Sequence, residues 1–196
     1  TCVTRHDCER AINMPYPASK KKTETKRRAP VRTSKEEIKE KAMELFLSKG
    51  YHGMSTSDIC EGLGISRPTL YWYFRDKEEI LFSVHKDSIE NRIKPIVDRM
   101  KETDDPVLRL HTFIKDYTAA VCLHRDTKAL INETPYLAPE HERWVREHWE
   151  HVLEAVREAI RELQRAGKAK QLPELFVAFS LIGMVTWPYT WFDYSR

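Results

Sequence analysis

Apolar residues recur along most of the chain at intervals of three and four positions, the spacing of one face of an α-helix. The first such run follows Ser34, which stands three residues before Glu37 as in a helix-capping box. Its apolar positions are Ile38, Ala42, Leu45 and Phe46. The run reaches Gly50, a residue that ends helices readily because it tolerates a left-handed backbone. The pattern therefore predicts a first helix between Ser34 and Gly50.

Two short helices are predicted next, joined by a tight turn that contains glycine. Ser55 and Asp58 form a second capping box, and the helix that they open ends near residues 62–64. Ser66 caps a third helix that runs to about Tyr73. A turn-linked pair of this kind can place its second helix in the major groove of DNA while the first crosses the backbone.

Helical spacing continues through the rest of the chain, in segments that begin at Asp76, Pro106, about Thr127, Pro139 and Pro173. Pro95 is expected to kink the first of these segments. The two longest are predicted over about 139–166 and 173–190, and the last is apolar almost all round, which indicates burial against a partner element. Because no strand-like alternation follows residue 33, the predicted fold class is all-α.

The pattern divides the chain into three parts. Residues 1–33 lack apolar periodicity and are predicted to be a disordered basic arm. Residues 34–82 form a three-helix, helix-turn-helix DNA-binding domain. Residues 83–196 form a helical ligand-binding and dimerisation domain, in which the last two long helices supply the dimer surface, because two such pairs make a four-helix bundle with a two-fold axis.

The charge of the chain is concentrated near one end. Residues 20–35 hold eight Lys or Arg and one acidic residue, a local charge of +7; since the whole chain carries +3, the remainder carries −4. Such a distribution favours a polyanionic partner that is met by the arm. A solvated tail is the alternative interpretation of this segment.

Several classes of protein do not fit the composition. The four cysteines are scattered and form no C-x-x-C pair, so neither a disulfide scaffold nor a zinc site is predicted, and a reducing cytoplasm fits best. No apolar run is long enough to span a bilayer, and the first thirteen residues do not resemble a secretory signal. We expect no cofactor and no membrane partner.

The helix-turn-helix region carries a resemblance. It is carried by three segments: Phe46-x3-Gly50-Tyr51, Ser55-Thr56-x-Asp58-Ile59 and Gly64-Ile65-Ser66-x2-Thr69-Leu70-Tyr71-x2-Phe74-x2-Lys77-Glu78-x-Ile80-Leu81. Together they resemble the DNA-binding domain of the TetR family of repressors, over roughly 50 of the 196 residues. Cys60, usually a small alanine, and Trp72, often histidine, depart from the pattern. The resemblance implies a dimeric repressor of a palindromic operator, in which Tyr71 and Lys77 touch phosphates.

The predicted DNA-binding residues are Ser55, Thr56, Ser66, Arg67, Thr69, Tyr71, Trp72 and Lys77. Ser66, Arg67 and Thr69 begin the reading helix and are expected nearest the base edges. Arg67 can donate twice to guanine, and a phosphate contact is the alternative. Ser55 and Thr56 can hold another phosphate at a helix N-terminus, although Ser55 also fits a plain capping role. Lys77 opposes the dipole of its helix, which suggests that an anion compensates it.

The basic arm is expected to contribute to DNA affinity without reading sequence. Removal of residues 14–33 should therefore lower the slope of operator affinity against salt concentration while leaving site preference unchanged, because fewer counterions are released. Fluorescence anisotropy titrations at several salt concentrations measure this slope. An unchanged slope in the truncated protein would contradict the role of the arm.

The second half has no catalytic spacing, and its histidines 141, 148 and 151 lack a further segment to complete a metal site. It is instead rich in aromatic residues, which serve mostly as core and dimer interface but can also surround an apolar cavity. The cavity is expected between three helices, and its predicted ligand-binding residues are Phe113, Tyr117, Trp144, His148, Met184, Trp187 and Trp191.

The C-terminal Trp187-x3-Trp191-Phe192 shows a weaker resemblance to a TetR-family branch that responds to acyl-CoA thioesters. It implies an acyl-CoA or similar apolar effector, with Arg125, Arg143 or Arg146 as partners of its phosphates or plain surface charges. We expect the effector to turn the two reading helices out of register with the operator, so that effector and DNA bind antagonistically. A nonspecific DNA-binding protein and an enzyme that uses the aromatic cavity are the alternatives; no nucleophile, paired carboxylates or phosphate loop favours the enzyme.

Overall fold

The computed structural model describes residues 33–122, 130 and 133–187, and within these ranges every regular element is a helix. This confirms the predicted all-α class. The α-helices, in chain order, are α1 (Lys35–Gly53), α2 (Thr56–Leu63), α3 (Arg67–Tyr73), α4 (Lys77–Ser88), α5 (Lys94–Lys101), α6 (Pro106–Cys122), α7 (Pro139–Arg165) and α8 (Glu174–Thr186). The predicted arm up to residue 32 and most of the predicted helix at 127–133 lie outside the described residues.

Both predicted capping boxes are formed. The Ser34 hydroxyl accepts the Glu37 N–H and the Glu37 carboxylate accepts the Ser34 N–H, and Ser55 and Asp58 make the same reciprocal pair. At Gly50 the backbone leaves the helical conformation with φ 68°, as predicted, although one further turn follows within α1. Local hydrogen bonding thus sets the starts of α1 and α2.

The first three helices pack around a small apolar core. The turn between α2 and α3 passes through Gly64 at φ 65°, a left-handed conformation that a side chain would strain. The buried residues of this core include Phe46, Ile59, Leu70 and Phe74. Because these side chains come from α1, α2, α3 and the residue after α3, they fix the direction in which α3 projects. We call residues 34–82, that is α1–α3 with the first turns of α4, the reading head.

The long helix after the reading head contains a widened turn. Asp76 caps α4 through the Glu79 N–H, and a π-helical turn, Ile89–Ile93, joins α4 to α5. In this turn the Lys94 N–H reaches the Ile89 carbonyl, five residues back. Pro95 follows directly and cannot donate a backbone hydrogen bond, so the distortion expected at the proline is absorbed by the turn before it.

Helices α5–α8 form a second unit of packing, here called the body. Helix α7 lies against both α6 and α8, and it ends before Gly167 at φ 69°. The body encloses its own apolar core. The core of the reading head extends to Leu137 and Val145, and Trp149 packs against both cores. Since α4 also continues through residue 82 without a break, head and body are connected both by a helix and by shared packing. No helix in the described ranges is long and apolar enough to cross a membrane.

Candidate nucleic-acid interface and ligand cavity

Helix α3 buries one side and exposes the other. Leu70 is fully buried in the head, whereas the neighbouring Tyr71 and Trp72 are exposed, Trp72 at 78% of its surface. An aromatic side chain left so open on a seven-residue helix contributes little to the core of the head. The exposed side of α3, together with the N-terminus of α2, is therefore a surface available for contact, and we call it the reading face.

Polar side chains on the reading face are linked to one another. The Thr56 and Tyr71 hydroxyls lie 3.4 Å apart, and Arg67 Nη2 donates to Ser57 Oγ at 2.5 Å. The Ser66 hydroxyl accepts the Thr69 N–H, as expected of a cap, and lies 2.8 Å from the Thr69 hydroxyl. These contacts bring together residues from α2 and α3, so the predicted candidates Thr56, Ser66, Arg67, Thr69 and Tyr71 occupy one surface.

Ser55 is committed to its capping role. Its hydroxyl accepts the Asp58 N–H at 3.3 Å and donates to Asp58 Oδ2 at 2.5 Å. Hydrogen bonds from the Lys49 side chain and from Ser55 hold the pKa of Asp58 far below its ordinary value, so this carboxylate stays charged. The capping interpretation of Ser55 describes the observed contacts, and a phosphate contact through its hydroxyl would compete with them.

Lys77 is held by backbone carbonyls and an aromatic ring. Its Nζ donates to the carbonyls of Tyr51 at 2.7 Å and Met54 at 3.0 Å, and it lies 4.1 Å from the centre of the Tyr51 ring. Burial lowers the pKa of Lys77, while the negative charge of Glu133 acts in the opposite sense. These carbonyl oxygens and the Tyr51 ring face the positive charge of Lys77, so the unfavourable helix dipole alone does not call for an external anion, and the phosphate contact of Lys77 stays a prediction. Lys77 fastens the end of α1 to the start of α4.

A contact that the sequence did not predict joins the reading head to the body, and we call it the head–body contact. Glu78 Oε1 accepts the Ala138 N–H at 2.7 Å and lies 2.9 Å from His141 Nδ1, and the His141 ring stacks on Phe82 with 3.7 Å between centres. Beside it, the rings of Tyr51 and Tyr136 stack at 5.1 Å. His141, weighed above as a metal candidate, is thus occupied by Glu78. The described residues contain no group of three or more potential metal ligands.

The body contains a cavity of about 450 Å³ between α6, α7 and α8, which are the helices predicted to hold it. Its lining residues are Tyr117, Thr134, Arg146, Trp149, Glu150, Val152, Leu153, Phe179 and Ile182. Tyr117 is one of the seven predicted ligand-binding residues. The polar lining is confined to a few side chains, and Arg146 Nη2 donates to Glu142 at 2.5 Å.

The other predicted ligand-binding residues lie elsewhere. Phe113 is fully buried beneath Tyr117, with the two rings 5.0 Å apart. Trp144 packs edge-on against Phe82, towards the reading head, and its carbonyl lies 2.7 Å from His148 Nδ1. The residues on α8 and after it are Met184 and Trp187, which are exposed, and Trp191, which lies outside the described residues. The lining of the cavity thus differs from the prediction because α7 turns Trp149 and Leu153 towards it, rather than Trp144 and His148.

Comparison with known proteins agrees with the division into head and body. Residues 38–84 match the family model for bacterial regulatory proteins of the tetR family, and residues 103–195 match that for the tetracyclin repressor-like C-terminal domain. The transcriptional activator FasR of Mycolicibacterium smegmatis is 26% identical over 49% of this chain and 44% of its own length. The fatty acid metabolism regulator protein of Bacillus subtilis is 33% identical over 34% of each chain. The chain thus spans less than half the length of these two relatives.

Solved structures extend the likeness to the whole fold. The TetR family regulator PfmR from Thermus thermophilus superposes with a TM-score of 0.76 at 24% identity, over 83% of this chain and 88% of its own. AibR, solved in complex with isovaleryl coenzyme A and operator DNA, gives a TM-score of 0.74 at 23% identity, over 83% and 89%. With both domain models matched in order on one chain, this protein belongs to the TetR family of bacterial transcription regulators.

Proposed function

We propose that this regulator is a ligand-responsive repressor that binds a palindromic operator as a homodimer and is released by a small apolar effector, with acyl-CoA thioesters as the favoured class. The observation that carries the proposal is the presence, in one chain, of an exposed reading face and a cavity of ligand size, joined by the head–body contact.

DNA binding is supported by the geometry of α3. The helix begins at Arg67 and is held to the head through buried Leu70, so its outer side can enter a major groove about 12 Å wide. Arg67 and Thr69 are the proposed contacts to base edges, and Tyr71 with Thr56 the proposed contacts to phosphate. Trp72 is the most exposed of the candidates and is proposed to lie against the DNA backbone. Lys77 stabilises the reading head through its hydrogen bonds to the Tyr51 and Met54 carbonyls.

Dimerisation is supported by the exposed face of α8. Large apolar side chains are open to solvent there in the single chain, namely Leu175, Phe176, Phe179, Met184 and Trp187. An apolar surface of this extent on one helix is typical of an interface. Because α7 and α8 pack together, the same pair from a second copy would complete a four-helix bundle. The two-fold axis of such a dimer requires a palindromic operator.

The effector class is supported by the size and lining of the cavity. About 450 Å³ lies within the range of ~300–1,000 Å³ of small-molecule sites, and the walls are mostly apolar. Arg146 is the one positively charged residue in the described lining and could meet a phosphate, whereas Arg143 is not part of the lining and Arg125 lies outside the described residues. AibR binds isovaleryl coenzyme A, and a curated relative is a regulator of fatty acid metabolism.

The route from effector to DNA is proposed to run through the turn before α7. Thr134 lines the cavity, and it belongs to the same 3-10 turn as Tyr136, which stacks on Tyr51 at the end of α1. The next residues hold Glu78 at the start of α4. An occupant that displaces Thr134 would therefore move the reading head, which couples effector binding and DNA binding negatively and reciprocally.

Acyl-CoA esters of increasing chain length are expected to lower operator affinity by about tenfold or more at saturation, within the usual range of allosteric coupling. Gel-shift titration against the promoter region of the regulator's own gene measures the effect. Coenzyme A without an acyl group is the matched control. The variant Leu153→Trp, which fills the cavity, should bind operator but lose the response. Unchanged affinity at every chain length would exclude this effector class.

A further inference from the structure

A second, smaller cavity adjoins the first on the side of the reading head. It has a volume of about 30 Å³, and its walls include His85 and Ser88 of α4, Ile89 and Ile93 of the π-helical turn, and Thr134 with Trp149. Thr134 and Trp149 also line the large cavity, so the two spaces are neighbours across these two side chains. The large cavity is mostly apolar, whereas the small one has polar groups along its α4 side.

His85 is the unusual residue of the small cavity. It is only 3% exposed, and its Nε2 has no hydrogen-bond partner among the residues that the structure describes. Burial lowers the pKa of His85 to about 4, so the ring is neutral near pH 7 and Nε2 can either donate or accept one hydrogen bond. Buried polar atoms are nearly always paired, which makes an unpaired nitrogen beside a cavity a sign that a further group belongs there.

The size and chemistry of the small cavity restrict that group. The space of about 30 Å³ is sufficient for only a few water-sized atoms, since a water needs roughly 10–15 Å³ of such volume. The residues described in its lining include no Lys or Arg, and the histidine is neutral, so a carboxylate or phosphate would be buried without a counter-charge. A neutral oxygen fits: a water, or a hydroxyl or ketone oxygen of a molecule in the large cavity.

We propose that the natural effector carries a neutral oxygen, a hydroxyl or a ketone, on its apolar part, and that this oxygen passes Thr134 and Trp149 to hydrogen-bond with His85 Nε2. This deepens the proposed function and rests on it, because the rest of the effector must occupy the large cavity. The oxygen would satisfy the unpaired nitrogen, as an ordered water in this space could do in the absence of effector.

The position of His85 gives the oxygen a direct effect on the reading head. His85 lies on α4, the helix that begins with Lys77 and Glu78 at the head. An effector without the oxygen contacts α4 only through the side chains between the cavities. An oxygenated effector holds α4 itself, so it should be the stronger inducer as well as the tighter ligand.

The test compares decanoyl-CoA with a series of hydroxydecanoyl-CoA esters whose hydroxyl stands at successive carbons, by isothermal titration calorimetry with the full chain. At least one hydroxylated ester is expected to bind about tenfold tighter than decanoyl-CoA, because a site built for a hydroxyl discriminates against the analogue that lacks it. This comparison uses the unmodified protein and so does not depend on the folding of any variant.

A variant then assigns the preference to the histidine. His85→Leu is expected to abolish the preference while changing decanoyl-CoA affinity less than about threefold, and the exposed His111→Leu on α6 is the matched control. Equal affinity of all the esters, or a preference that survives in His85→Leu, would overturn the inference and leave the small cavity as a water site. Binding of no ester would overturn the acyl-CoA effector and this inference with it.

Discussion

Replacing Arg67 with alanine is expected to weaken operator binding by about ten- to a hundredfold, on the order of 1–3 kcal/mol, without unfolding the reading head. Arg67 is exposed at the first position of α3, and its described side-chain contact is a hydrogen bond to Ser57 on the surface. Surface substitutions of this kind usually change stability by less than about 0.5 kcal/mol. The loss would therefore report on DNA contact rather than on folding.

The same variant separates the two interpretations of Arg67. If the guanidinium donates to guanine, Arg67→Ala should also relax the preference at one operator position in each half-site. If it holds a phosphate, affinity should fall evenly across sequences and the salt slope should decrease by about one. Anisotropy titrations on the operator and on base-substituted duplexes distinguish these results. Arg165→Ala, an exposed arginine at the end of α7, is the control, and equal affinity of both variants would remove Arg67 from the interface.

Placing a charge on the exposed face of α8 is expected to dissociate the dimer. Phe176 is 69% exposed in the single chain, so its replacement by glutamate costs the isolated fold little. In the proposed four-helix bundle the same carboxylate would be buried against its symmetry mate, which is strongly unfavourable. We expect the dimer dissociation constant to rise more than about a hundredfold, ~3 kcal/mol, and operator binding to fall with it.

Light scattering coupled to size-exclusion chromatography measures the mass of Phe176→Glu at micromolar concentration, and circular dichroism checks that its helices remain. Leu108→Glu is the matched control, because Leu108 is also an exposed apolar residue but lies on α6, outside the proposed interface. A Phe176→Glu protein that stays dimeric would move the interface away from α8. A Leu108→Glu protein that becomes monomeric would move it to α6.

The features that were predictable from the sequence are those that depend on near neighbours. Ser34 and Ser55 cap helices through residues three positions away. Gly50 and Gly64 have positive φ angles, which glycine adopts readily because it has no Cβ. The family resemblance of the reading head rests on such local signals. They were sufficient to place α1, α2 and α3.

The lining of the cavity depends on how α7 is rotated, which local signals do not determine. Trp144 and Trp149 are five residues apart and so point about 140° away from each other around the helix. Trp144 meets Phe82 of α4, while Trp149 faces the cavity between α6 and α8. Trp144 and not Trp149 was predicted from the sequence to line the cavity, although the two side chains are identical, and only the positions of the surrounding helices distinguish them.

The head–body contact was missed for a related reason. Glu78 and His141 are 63 residues apart in the sequence. Each is explained without the other: Glu78 as an acidic residue in the first turn of a helix, and His141 as a surface histidine. The same applies to Lys77, whose partners are backbone carbonyls that carry no signature in the sequence.

The head–body contact also limits how this protein could be recombined with its relatives. Consider a chimera that joins residues 34–88 of this protein to the sensor domain of another family member. It would keep Glu78 and Phe82 but lose their partners Ala138 and His141, which belong to the body of this protein. Its head would lose the head–body contact and keep α4 as its link to the body, so the proposed effect of the effector on the orientation of the head would be weakened. A working biosensor built from this reading head should therefore transplant the short segment around residues 133–141 together with it.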